Sequence, residues 1–282
     1  MPPWGMKPLW RWTRLTSTKW EEEWAERLQF LGPGRVAMIG WPNSKSVRIE
    51  TFCDEATARR LVRNFGGRMS RARDWTADMD RPRKPLSIRG RIVIHSDEAS
   101  FRNRKPSRGR TDILIPAGMA FGTGDHATTA SCLRMLCDVT RTMEPGWRAI
   151  DAGTGSGILA IAAAHLGAGH VEAFDFDPAS VRIAKANARA NGIKSISIAK
   201  ADVLEWRPKQ PAEIVMANLF SDLLIKAAPR LKSATKRGGA LIFSGVLRTQ
   251  LDEVVRAFGK QGFAIERTVV RGKWSAGLGH RI

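Results

Sequence analysis

From residue 147 onward the chain alternates short β-rich runs with helical stretches, and glycines make the first crossing between them. WRAID, VEAFD, SISIA, EIVMAN and ALIFS are the β-rich runs; ILAIAAAHL, PASVRIAKANARAN and DLLIKAAPRLKSA separate them. Strands alternating with helices build a parallel sheet covered on both faces, because parallel neighbours need a crossover and the crossover helix packs on a face. Ligands of such sheets sit beyond the carboxyl ends of the strands. The tail FAIERTVVRGKWSAGLGHRI reads instead as two adjacent strands around Gly272-Lys273, so the sheet ends in an antiparallel hairpin.

The first crossing, DAGTGSG at 151–157, follows a strand and opens a helix, so its backbone can come close to a ligand and present N–H groups to it. Its spacing is GxGxG. Ile158 stands where a dinucleotide fingerprint needs its third glycine, which argues against a nicotinamide cofactor. The second strand ends in Asp175, where a carboxylate can accept both ribose hydroxyls of an adenosine. Asp202 follows the third strand, suited to the adenine amino group, and Asn218 follows the fourth, where its amide oxygen can accept from an amine. Each residue alone reads as a strand-end cap; four suitable groups after four successive strands read as one site. Ser244 lacks a GxSxG elbow, which excludes the usual hydrolase nucleophile. An α/β sheet of this kind, closed by a hairpin, is the architecture of S-adenosyl-L-methionine (SAM) methyltransferases.

About thirty residues before DAGTGSG lies a second glycine-rich string, FGTGDHATT at 121–129. With IPAGMAFGTGDHATTASCL, DAGTGSGILAIAAAHLGA, FDFDPASVRIAKANARANGI, VMANLF, GGALIFSGVL and the closing KWSAGLGHR, residues 111–282 resemble the PrmA-type methyltransferases of ribosomal protein L11. The resemblance implies a Rossmann-like class I methyltransferase domain, SAM as cofactor, and methylation of the α-amine and lysines of L11. It places the family's cofactor contacts on Thr129, Gly153, Asp175 and Asn218. Phe121 and Gly155 in the two loops and Asp202 complete the expected cofactor set. Asn218 and His126 are the expected catalytic groups: Asn218 orients the neutral amine, and His126, a base candidate, also suits holding its loop in shape. The sequence departs from the family's GTGTHPTT at Asp125 and Ala127, and has Thr154 where a small Cys is frequent, which bears on substrate preference.

Ahead of this domain, residues 1–76 read as a small ferredoxin-like α+β unit: strand, helix, hairpin around Pro42-Asn43-Ser44-Lys45, helix capped by Asp54, and a short strand near 68–76. The resemblance gives such a unit the task of docking the substrate protein. Residues 77–110, with Pro82, Pro85 and Pro106 among many arginines around a strand at 91–95, read as a basic linker.

Charge bears on partners. Lys+Arg 46 against Asp+Glu 27 gives +19, which favours polyanions such as ribosomal RNA. The excess is greater in the first part: residues 1–110 hold 24 basic and 12 acidic side chains against 22 and 15 in the rest. Arg102, Arg104, Lys105, Arg108 and Arg110 fall within ten residues, a run that fits a solvated linker as well as a nucleic-acid contact. Three cysteines without a CxxC pair suggest neither a disulfide framework nor a zinc site and fit a reducing cytoplasm. No window approaches the ~18 apolar residues of a membrane span. A monomer is expected. Two alternatives stay open: a lysine methyltransferase acting on a metabolic protein, and a basic RNA-binding, ribosome-associated protein with a vestigial SAM fold.

Overall fold

The computed structural model describes residues 10–31, 36–40, 45–71, 84–105, 107–116, 124 and 126–282. They fall into two units, one within residues 1–81 and one within 82–282.

The first unit contains β1 (Trp10–Ser17), α1 (Glu21–Arg27), β2 (Val36–Gly40), β3 (Ser46–Cys53), α2 (Glu55–Phe65) and β4 (Arg68–Arg71). Its antiparallel sheet has the order β2-β3-β1-β4, the ferredoxin-like arrangement. Asp54 caps α2 by accepting from the Thr57 N–H at 2.9 Å, a bond worth about 1 kcal/mol. Gly66 and Gly67, both at positive φ, end the helix and turn the chain into β4. Trp12 and Trp24 fill the core with Leu28, Ile49 and Leu61. The Trp12 indole N–H, which burial would otherwise leave unpaired, donates to the Gly66 carbonyl at 2.8 Å. Most of the Pro42-Asn43-Ser44-Lys45 turn, and the chain after Arg71, lie outside the described residues.

The second unit begins with β5 (Leu86–Ile88), β6 (Ile92–His95), α3 (Glu98–Arg102) and β7 (Thr111–Leu114), a three-stranded sheet of order β5-β6-β7. This corrects the expectation of a linker over 77–110, which from Leu86 is folded. Ile88, Ile92 and Ile94 are buried in the same core as Leu133 and Leu136. The apolar residues of LSIRGRIVIH win over the arginines beside them because a side chain pointing inward is stabilised by burial, whereas a charged one on the outer face costs little.

After α4 (Ala127–Val139) comes the large sheet: β8 (Arg148–Ala152), α5 (Ile158–His165), β9 (His170–Asp175), α6 (Pro178–Ala190), β10 (Ile196–Lys200), β11 (Ala212–Asn218), α7 (Ser221–Ala234), β12 (Thr235–Leu247), α8 (Leu251–Lys260), β13 (Phe263–Arg271) and β14 (Trp274–Arg281). Its order is β10-β9-β8-β11-β12-β14-β13, with β14 antiparallel to both neighbours. One apolar core, including Leu133, Ala149, Ile161 and Met216, covers one face; a second, including Ile150, Val215, Leu224 and Phe258, covers the other. The order reverses between β8 and β11, which opens a crevice at the strands' carboxyl ends. Among the described residues no helix is long and apolar enough to cross a membrane.

Candidate functional site

A cavity of about 570 Å³ opens at that crevice, within the range of small-molecule sites. His126, Gly153, Gly155, Asp175, Asp202 and Asn218 all line it. Thr129 is joined to them through Asn218, and Phe121 lies outside the described residues.

The glycine loop leaves β8 with Gly153, Gly155 and Gly157 at positive φ, a backbone that other residues adopt only with strain. A Cβ on Gly153 would lie 2.3 Å from Leu219 Cδ2, and one on Gly157 would lie 3.2 Å from Ala184 of α6. Bare backbone at 153 therefore forms part of the cradle, and at 157 it lets two helices close up. Beneath the loop, buried Asp151 accepts from the Thr154 hydroxyl at 2.6 Å and from the Ala160 N–H at 3.1 Å, both on Oδ2. Its Oδ1 is buried without a partner. Burial pushes the Asp151 carboxyl up to about 7, against those two hydrogen bonds.

At the end of β9, Asp175 accepts from the Gly155 N–H at 2.9 Å and from the Asp177 N–H at 3.0 Å, one on each oxygen. A carboxylate has about four lone-pair positions, so each oxygen keeps one for a ligand hydroxyl. Asp177 caps α6 through the N–H groups of Ala179 and Ser180, which lowers its carboxyl below the ordinary range. Asp202 accepts from the Leu204 N–H at 2.9 Å and is held facing the cavity rim.

Asn218 closes β11. Its Nδ2 lies 3.4 Å from both the Thr128 and Thr129 hydroxyls, at the first turn of α4. That contact fixes the amide's orientation and turns Oδ1 away from the threonines; Oδ1 is buried with no hydrogen-bond partner. A buried amide oxygen without a donor costs about 1–3 kcal/mol, and a ligand N–H would remove that cost. Two residues after it, Phe220 is 74% exposed although it lines the cavity; Phe176, directly after Asp175, is 69% exposed.

His126 has a structural task here. It is the N-cap of α4, with Nδ1 2.7 Å from the Thr128 hydroxyl and 3.4 Å from its N–H. Its ring meets Trp274 edge to face at 5.3 Å. Desolvation, then the charge of Lys273, holds the imidazole below its ordinary pKa, so it is neutral near pH 7. A neutral ring whose Nδ1 is engaged by the cap is poorly placed to take a proton from an incoming amine.

Three contributors escaped the sequence reading. Trp274 reaches the cavity because β14 lies beside β12. Gly245 lies at the irregularity of β12, where a Cβ would come within 2.3 Å of the Leu219 carbonyl oxygen, so it lets the Asn218-Leu219-Phe220 turn pass. Asp151 opens the glycine motif and supports it from below; the signal was its place in DAGTGSG.

The cavity fits SAM on the structure's own terms. It has a glycine loop that lines the cavity at 153 and 155, a carboxylate with open lone pairs, and a buried acceptor without a donor. Residues 43–281 match the family described as Ribosomal protein L11 methyltransferase (PrmA). The chain belongs to this family. A ribosomal protein L11 methyltransferase of Pelotomaculum thermopropionicum is 34% identical over 263 residues, covering 90% of this chain and 82% of the relative. One of Rhizobium meliloti is 40% identical over 205 residues, covering 71% and 69%. The crystal structure of a ribosomal protein L11 methylase from Lactobacillus delbrueckii subsp. bulgaricus superposes with a TM-score of 0.62 at 30% identity, covering 71% of this chain and 99% of that one. The PrmA-family chain is accordingly a SAM-dependent protein methyltransferase with a class I fold.

Proposed function

We propose that this PrmA-family enzyme methylates amino groups of the large-subunit ribosomal protein L11, at its α-amine and lysine side chains. The cofactor contacts are Thr129, Gly153, Gly155, Asp175, Asp202 and Asn218, with Phe121 from the preceding loop. The observation that carries the reading is the Asn218 amide, held by two threonine hydroxyls with a buried, unpaired oxygen. The family's name and relatives support L11 as substrate.

Bound SAM supplies a methyl group on a positively charged sulfur. The residues do the rest by alignment in a water-poor pocket. The glycine loop, Asp175 and Asp202 would hold SAM, which would offer an electrophilic methyl to an amine lone pair with a neutral thioether as leaving group. Before that the amine must be neutral. At pH 7 an α-amine with pKa about 7.7–8.0 is neutral in about one molecule in ten, while a lysine at about 10.4 costs about 4.6 kcal/mol. An α-amine therefore needs no strong base, in keeping with a His126 occupied as a helix cap. The Asn218 oxygen accepts from the neutral amine's remaining N–H and turns its lone pair toward the methyl. Lysine is reached through the same site when desolvation depresses its pKa.

In this reading the N-terminal unit docks the protein substrate, and the basic first part of the chain also contacts ribosomal RNA. The enzyme works as a monomer in the cytoplasm, where the free thiols of Cys53, Cys132 and Cys137 stay reduced. Incubation with isotopically labelled SAM and L11, free and within ribosomal particles, tests the proposal. Label in L11 amines is the expected result; label confined to another protein removes L11 as the substrate.

A further inference from the structure

Residues 103–110, which join α3 to β7, carry four basic side chains and no acidic one, Arg104, Lys105, Arg108 and Arg110. A solvated linker would leave these side chains waving on an extended chain. The described residues of this segment, 103–105 and 107–110, are instead tied down by backbone and side-chain hydrogen bonds. The Arg110 N–H donates to the Ser107 carbonyl at 3.1 Å, the Arg110 guanidinium donates to the Lys105 carbonyl at 2.7 Å, and the Thr111 N–H donates to Arg91 at 2.8 Å. Gly109 turns the chain at positive φ. Arg104 donates to the Phe101 carbonyl at 2.6 Å, and its guanidinium lies 3.8 Å above the Phe101 ring. One flat cationic group is thus fixed on the surface before anything binds.

The nearby carboxylates do not neutralise this loop. Glu98 pairs with Arg102 at 2.6 Å, and Asp112 is buried against His95 at 2.7 Å, with Arg110 at 3.6 Å. Among the described residues, Arg104, Lys105 and Arg108 have no acidic partner, and all three are exposed. Three like charges within five residues repel one another, and a fold that exposes all three together, with Arg104 held in place, has a use for a polyanion.

The chemistry of the loop selects among polyanions. Arginine supplies 32 of the chain's 46 basic residues. A guanidinium matches phosphate with two parallel N–H bonds and stacks on planar bases, which an ammonium cannot do. An anionic membrane calls for apolar side chains beside the cations, and exposed Asn103, Ser107 and Gly109 offer none.

We propose that the 103–110 loop is an RNA contact, with Arg104, Lys105 and Arg108 on backbone phosphates. It gives a location to the RNA partner proposed above and does not depend on methyl transfer. The test uses the full chain and a fluorescein-labelled RNA hairpin, with anisotropy titrations over a series of salt concentrations. The triple variant Arg104→Gln, Lys105→Gln, Arg108→Gln is compared with a control that removes three exposed cations elsewhere, Lys194→Gln, Arg256→Gln, Lys260→Gln. Each phosphate contact contributes about 0.7–0.9 to the slope of log K against log salt, so the loop variant should lose about 2 from that slope while the control keeps it. An unchanged slope in the loop variant, an equal loss in both variants, or binding of poly-L-glutamate through the loop with no binding of RNA would each overturn the proposal. Methyl transfer to free L11, measured in parallel, should be the same in both variants, so failure of the RNA contact is distinguishable from failure of the enzyme reading.

Discussion

Asp175 at the end of β9 and Asn218 at the end of β11 stand in equivalent places on the sheet, two strands apart, yet the chain treats them differently. Both Asp175 oxygens are already engaged by backbone N–H groups, from Gly155 and Asp177. Asn218 uses its nitrogen on Thr128 and Thr129 and leaves its oxygen buried and unpaired. In the proposed reading the cofactor end is complete as folded, with spare lone pairs for hydroxyls, whereas the amine end is incomplete until a donor arrives.

Asp175→Ala strikes the finished end and should have the largest effect. It strands two N–H groups of the cradle and removes the ribose acceptor. Hydrogen bonds to a charged group are worth about 1.5–3 kcal/mol each, so SAM affinity by calorimetry should fall about 100-fold or more. An unchanged affinity would remove Asp175 from the site. Asn218→Ala strikes the unfinished end. A misplaced amine costs about 100-fold in rate, so kcat for L11 should drop by that order while the circular dichroism spectrum and the melting temperature stay close to those of the parent enzyme. A kcat preserved at saturating cofactor would leave Asn218 a cofactor contact with no part in orienting the amine.

The support beneath the cradle has its own signature in pH. The Asp151 carboxyl rises from 3.8 to about 7 in the folded chain, so between those values the folded state holds a proton that the unfolded state has lost. The contribution of Asp151 to stability is therefore greatest below about 4 and declines as pH rises toward 7. Urea melts of Asp151→Asn should show this decline flattened; an identical pH slope in the variant would mean that the carboxylate is accommodated in its charged form. The smallest effect is expected at His126. Asparagine is also a good N-cap, so His126→Asn should keep activity within about threefold, whereas a general base would cost about 100-fold or more. A loss of that larger size would make His126 catalytic after all.

The same contrast runs through what the sequence could and could not reveal. The 3.6 and 2.0 periods from residue 147 onward announce the sheet because its central strands are buried and most of the helices that cover it are amphipathic, and the residues that follow the strands inherit their places from the topology. Asp175, Asp202 and Asn218 were legible in this way. The sheet formed by β5, β6 and β7 was not, because its short strands are embedded among prolines and arginines that dominate composition, while Ile88, Ile92 and Ile94 carry the fold. Trp274 and Gly245 were illegible for another reason. Each reaches the cavity through pairing between distant strands, Trp274 opposite Leu247 and Gly245 against Leu219, and no local pattern encodes such a contact. His126 shows the converse: of the two tasks the sequence allowed it, base and loop support, the structure displays the second, through its bonds to the Thr128 N–H and hydroxyl.

The central claim, that this cavity transfers methyl groups to amines of L11, is tested most directly by intact-mass measurement of ribosomal proteins from cells with and without the gene. The account predicts that L11 alone among them is lighter in the deletion strain, by whole methyl increments, and that the mass returns with the native gene but not with Asp175→Ala. An L11 of unchanged mass, with another protein shifted in its place, would contradict it.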